Sequence, residues 1–211
     1  CNAPDASPES MSLYLFPAGG GEALRYEFTD CRGGMIRVPV GGYEALCLNS
    51  DTENVTYRNA ERRETFEVTT RTADLLSGLS VLGVLSDGVP RVDGTESERV
   101  ILPPDMLWSD CAESVELKPT VGIPTVTLSP EMSICRYTVE IRNAANLKYV
   151  SGISGSLSSM AESLYPGVGC DATCKTGATI PFDAAVSADK STVTGELFAF
   201  GCPSARKTHT L

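Results

Sequence analysis

Eight cysteines and a single histidine are the side chains of this 211-residue chain best suited to nucleophilic, redox or metal chemistry. Cys170 and Cys174 lie close together in the polar stretch "GCDATCK" and are the best-placed pair for a disulfide. Cys47 sits inside the apolar run "YEALCLN", and Cys135 lies on the apolar side of "CRYTVEIR", so both are expected as small buried hydrophobes. Zinc at the 170–174 loop would need two further ligands. Cys202 and His209 could supply them, but the spacing matches no standard site, and neither metal nor cofactor is expected.

His209 lies near the end of the chain, so general-base chemistry by histidine would rest on a terminal residue. No H-E-x-x-H, G-x-S-x-G or G-x-x-x-x-G-K-[ST] pattern is present, and "GISGS" at 152–156 lacks the last glycine of a nucleophile elbow. The acidic turns "NSDTEN" and "SDGVPRVDGTESE" lack the alternating ligands and central glycine of an EF-hand loop. Trp108, the only tryptophan, could stack on a sugar ring if exposed; packing at a domain junction is the expected role. No catalytic, cofactor-binding or metal residue is assigned, and the chain is read as a non-enzyme.

Composition narrows the class further. The formal charge is −10, with 17 basic against 27 acidic residues, which disfavours nucleic acid as a partner. Hydrophobic residues make up 42% and charged residues 21%, ordinary for a folded domain, and no apolar run is long enough to span a membrane as a helix.

The elements that must position these side chains repeat with period two. "MSLYLF" sets Met11, Leu13 and Leu15 against Ser12, Tyr14 and Phe16, and "LRYEF" follows as a second short strand. "MIRVPV" reads as a strand joined to "YEALCL" by a hairpin at Gly41-Gly42, with Pro39 at an edge. "CRYTVEIR" predicts a half-buried strand with Cys135, Tyr137, Val139 and Ile141 on its buried face. "STVTGELFAF" is a late strand with Gly195 as a candidate bulge, and 72–85 could hold a helical turn. The Ser/Gly-rich segment 146–167 carries Leu147, Val150, Ile153, Leu157, Met160 and Leu164, apolar residues that a solvated tether would waste. It is expected to fold onto a core, with a helical turn near 158–164. The charge and prolines of "SDCAESVELKPTVGIP" mark the expected linker.

Taken together, "MSLYLFPAGGG", "GGMIRVPVGGYEALCLNSDTENVTYRN", "TTRTADL", "PDMLW" and "CRYTVEIRNAANLKYVSGISGSLSSMAESL" resemble a fimbrillin-like family of unknown function from Bacteroidales. That family is related to minor fimbrial subunits and anchors of the group. The resemblance implies an all-β chain of two β-sandwich domains with transthyretin-like, Greek-key topology, assigned here to residues 1–114 and 115–211. It also implies an exported lipoprotein at the cell surface or outer membrane, acting in adhesion or fimbrial assembly by β-strand pairing. Its partners would be other fimbrial subunits or a surface ligand. The alternative function is a carbohydrate-binding surface module for glycan uptake. Relatives carry a strand before the position of Cys1 and further strands beyond "GCPSARKTHTL". Both sandwiches are therefore expected to be incomplete, with Cys1 an internal position and the lipid anchor upstream.

Overall fold

The structure is a computed structural model that describes residues 8–75, 91–119, 122–150, 152–169, 171–204 and 209–211. The described chain is all-β, with one 3-10 turn at Leu147–Tyr149. Its strands are β1 (Met11–Pro17), β2 (Leu24–Phe28), β3 (Gly41–Asn49), β4 (Val55–Arg58), β5 (Glu67–Thr70), β6 (Arg99–Val100) and β7 (Trp108–Leu117). They continue with β8 (Glu131–Met132), β9 (Cys135–Ile141), β10 (Ser154–Ala161), β11 (Ser163–Leu164), β12 (Gly177–Val186) and β13 (Val193–Ala199). The first sheet runs β2-β1-β3-β7-β8, the second β10-β12-β13-β9 with β6 parallel to β12, and the third β11-β5-β4.

The alternation in β1 decides how the first sheet is used. Tyr14 and Phe16 face a core that also holds Leu46 and Leu48 of β3, Val68 of β5 and Leu164 of β11. At its centre Phe66 is fully buried, with the ring of Tyr14 at 4.9 Å and that of Tyr57 at 5.3 Å. Such ring pairs add about 0.5–1.5 kcal/mol each beyond the area they bury. Leu13 and Leu15 face the other way, toward Tyr43, Ala45 and Val115. A third cluster, with Ile101, Met160, Ile180 and Leu197, packs the second sheet.

The strand readings of β1, β2 and β9 agree with the structure, and four other readings are corrected by it. "MIRVPV" is not a strand: residues 35–39 pair with no neighbour, and Gly41-Gly42 opens β3 instead of closing a hairpin. Pro39 and the absence of a ladder partner explain this. The expected linker is, through Leu117, the ten-residue strand β7, whose Ser109 and Val115 are buried while its charges point outward. The expected helical turn at 158–164 is the end of β10 and β11, and the helical turn lies earlier, at Leu147–Tyr149. In β9 the side chains Cys135, Tyr137 and Val139 lie on the less exposed face but are half-buried where burial was expected, and Ile141 at the strand end is 45% exposed. The helical reading of 72–85 lies mostly outside the described residues.

Strand β7 runs through residue 114, and the core around Phe66 takes Leu107 from one half of the chain and Ile134, Leu164 and Phe200 from the other.

Candidate interaction surface

The outer face of the first sheet is only partly covered. Leu13 and Leu15 of β1, Ala45 of β3 and Val115 of β7 form its floor, and two irregular segments form its walls. Residues 31–40 make one wall and 118–119 with 122–130 the other, enclosing an open cavity of about 820 Å³. That volume lies within the range that accommodates small ligands or side chains of a docked segment.

Sequence explains why the walls stay irregular. Gly33 has φ +78 and Gly122 φ +120, conformations open to glycine, and Pro39 and Pro124 lack the amide that a ladder would use. The first wall is held by tyrosines: the Tyr26 hydroxyl donates to the Arg37 carbonyl at 2.8 Å, and that of Tyr43 to the Pro39 carbonyl at 3.0 Å. The second is tied to β7 where the Ser129 amide donates to Asp110 Oδ2 at 2.7 Å. Apolar side chains stand out from both walls, with Met35 79% and Ile123 70% exposed, joined by Val40 and Val126. Clustered apolar exposure of this kind is typical of interaction sites. Among the described residues no Asp or Glu lines the cavity, although the chain is acidic; its charged lining is Arg32, Arg37 and Lys118.

The side chains singled out for chemistry lie elsewhere. Trp108 is half-buried at the start of β7; its amide donates to Asn49 Oδ1 at 2.8 Å, and it pairs with Met132. Cys174 is buried, and its thiol donates to the Thr176 carbonyl at 3.2 Å. Cys170 lies outside the described residues, so the Cys170–Cys174 disulfide stands as a proposal that thiol counting under denaturing conditions tests. Cys47 is buried as expected, and burial pushes its thiol up to about 12. Cys202 and His209, considered above only as metal ligands, are in contact: Cys202 Sγ lies 2.9 Å from His209 Nε2. Among the described residues no group of three or more His, Cys, Asp or Glu is placed to hold a metal ion.

A second polar assembly is internal. Glu98 is buried, and its carboxylate accepts from the Ser159 amide and hydroxyl, both at 2.9 Å, and from the Thr179 hydroxyl at 3.0 Å. This ties the segment preceding β6 to β10 and β12, and its partners sit far away in sequence. Nothing in the sequence near Glu98 announces it. The cavity walls were legible only as apolar residues set among glycines and prolines.

Comparison with known proteins fits these features. A curated protein of Bacteroides ovatus, provisionally named fimbrium anchoring subunit Fim4B, is 23% identical over 158 residues, which is 75% of this chain and 42% of that protein. A crystal structure of a protein provisionally named an adhesin, also from Bacteroides ovatus, superposes with TM-score 0.70 at 21% identity, covering 95% of this chain and 63% of that one. The fimbrial anchor protein Mfa2 of Porphyromonas gingivalis superposes with TM-score 0.55 at 15% identity, covering 93% of this chain and 66% of that one. The chain thus spans less than half the length of the curated relative. The structural likenesses establish the fold alone. The family profile described as domain of unknown function DUF5119 matches residues 1–183, and the chain belongs to that family.

Proposed function

We propose that this chain is the folded part of a non-enzymatic, exported cell-surface protein that acts in adhesion or fimbrial assembly by β-strand pairing. Its partners are other fimbrial subunits, and it is held at the outer membrane by an upstream lipid anchor. The observation that carries the reading is the apolar cavity on the outer face of the first sheet, with Met35, Val40, Ile123 and Val126 exposed on its walls. An extended segment alternates its side chains, so one face of it can fill apolar pockets while its backbone pairs with a free edge. Strand β2 ends the first sheet and offers such an edge beside the cavity. The names of the fimbrial relatives support this reading. The carbohydrate-binding alternative needs an exposed aromatic platform, and the half-buried Trp108 does not favour it.

The same proposal divides the chain into sandwiches of transthyretin-like topology at 1–114 and 115–211. Limited proteolysis tests the division: two separately stable fragments support it, and one resistant core containing both halves overturns it. The function is tested by placing a photo-crosslinking benzoylphenylalanine at Val126 or, as control, at Lys190 in the turn between β12 and β13, within the full-length protein in its own fimbriated cells. Capture of a fimbrial subunit from Val126 alone supports strand docking. Equal capture from both positions, or none from either, overturns it.

A further inference from the structure

The contact between Cys202 and His209 has a defined polarity. His209 Nδ1 lies 2.9 Å from the carbonyl oxygen of Ser159. A carbonyl only accepts, so Nδ1 carries the proton and donates it. Nε2 then holds the lone pair, and it is Nε2 that faces Cys202 Sγ at 2.9 Å. The thiol is the donor. An orienting carbonyl, an imidazole in the basic tautomer and an exposed thiol form the nucleophile–base–orienter arrangement that activates cysteine.

The support behind this arrangement is also built. Ser159 is buried, and its amide and hydroxyl are both held by the Glu98 carboxylate, which fixes the direction of its carbonyl. The terminal segment carrying His209 is pinned to β10 where the Ser158 amide donates to the Thr210 carbonyl at 2.8 Å. The imidazole thus meets the Cys202 side chain and the main-chain carbonyl of Ser159, which Glu98 supports from behind.

A second thiol lies close to the segment that carries the first. Cys135 begins β9 opposite Ala199 of β13, and the chain leaving β13 turns back through Gly201 at φ +102 to reach Cys202. A Cβ on Gly201 would sit 3.6 Å from Cys135 Sγ, so Cys135 packs against the residue next to Cys202. Burial first, and then the charges of Cys135 and Cys202, raise the Tyr137 hydroxyl.

We propose that Cys202 is a reactive thiol that, with His209 as its base, forms a disulfide with Cys135 by exchange with a small-molecule or protein disulfide. This is independent of the adhesive role proposed above. His209 Nε2 takes the proton from Cys202, and the thiolate attacks one sulfur of the incoming disulfide. That S–S bond breaks, and the leaving thiolate takes up a proton. Cys135 attacks the Cys202 sulfur of the mixed disulfide, the bond to the second external sulfur breaks, and the proton of Cys135 passes to that leaving thiolate. Two protein thiols are oxidised to one disulfide, and one external disulfide is reduced to two thiols. Cys202 lies in the irregular segment after β13, where a shift of the backbone can bring the two sulfurs to bonding distance.

Oxidised glutathione is the probe, and exposed Cys31 is an internal reference in the same sample. Peptide mapping under non-reducing conditions should find a Cys135–Cys202 linked peptide, formed before Cys31 is modified. In Cys135→Ser, glutathione should instead accumulate on Cys202. In His209→Ala, modification of Cys202 should slow about tenfold or more against Cys31, since a positioned base contributes at least that much. A fold lost in either variant would expose Cys47, and its labelling reports that directly. Cys202 reacting no faster than Cys31, no effect of His209→Ala in folded protein, or linkage of Cys202 to another cysteine would overturn the proposal.

Discussion

The ring of Phe182 occupies the space where a side chain on Gly195 would begin. Gly195 pairs in continuous register with Val139 of β9 and Ala184 of β12, so it is not the bulge that its place in a strand suggested. The missing side chain makes room for the ring. Gly155, on the opposite neighbour strand, meets the same ring and is the register partner of Phe182 itself. Phe182 is thus seated between two glycines on the strands that flank β12.

Replacing either glycine with alanine should overpack this seat. Gly195→Ala and Gly155→Ala are each expected to cost about 1–3 kcal/mol. At roughly 2–4 °C per kcal/mol for a chain of this size, calorimetry should show a clear drop in melting temperature. Gly94→Ala, at a turn with open space around it but φ +83, is the comparison for backbone strain alone.

Glu98 makes a second prediction. In Glu98→Gln an amide group faces hydroxyl and amide donors that the carboxylate accepted from. One buried donor is left unmatched, at a cost of about 1–3 kcal/mol. Urea unfolding measures it, and an unchanged midpoint would mean that the network contributes nothing net.

Stability should fall in alkali. Burial holds the Cys47 thiol at about 12 against an ordinary 9.0, and the Tyr57 hydroxyl at about 12 against 10.0. Both are raised in the folded state, so the unfolded chain releases these protons first. Their contribution is complete below pH 9 and is lost between about 9 and 12. Each can contribute a slope of up to ~1.4 kcal/mol per pH unit while only the unfolded form has ionised. Urea midpoints between pH 8 and 11 test this, and Cys47→Ala should flatten the decline.

The cavity walls should tolerate charge where the floor does not. Met35→Asp and Ile123→Asp alter exposed side chains and should change stability by less than about 0.5 kcal/mol. Under the proposed function they should abolish crosslinking from Val126. Leu15→Asp on the floor should unfold the first sheet.

The strands that were legible in sequence are those whose two faces differ in polarity. In β9, Arg136, Thr138 and Glu140 alternate with half-buried Cys135, Tyr137 and Val139, and the pattern was plain. Strand β10 was hidden because Ser158 and Ser159 are as buried as Leu157 and Met160, their polarity matched by Glu98 and Thr179. Strand β7 was hidden by charges on its outward positions, which read as a solvated linker. The Cys202–His209 contact depends on Ser159, a residue 50 positions away, and local spacing carries no trace of it.

Strand β1 is a partition wall shared by two tenants. Tyr14 and Phe16 answer to the enclosed core, whose demands on shape come from this chain alone. Leu13 and Leu15, one step along the same strand, pack with Tyr43, Ala45 and Val115 on the other side and, under the proposed function, also meet what enters the cavity from outside. Under the proposed function, selection on foldability alone acts on the even letters of this six-residue word, while the odd ones answer to foldability and partnership together. A lineage that changes its partner can then exchange one apolar odd letter for another and leave the even ones standing.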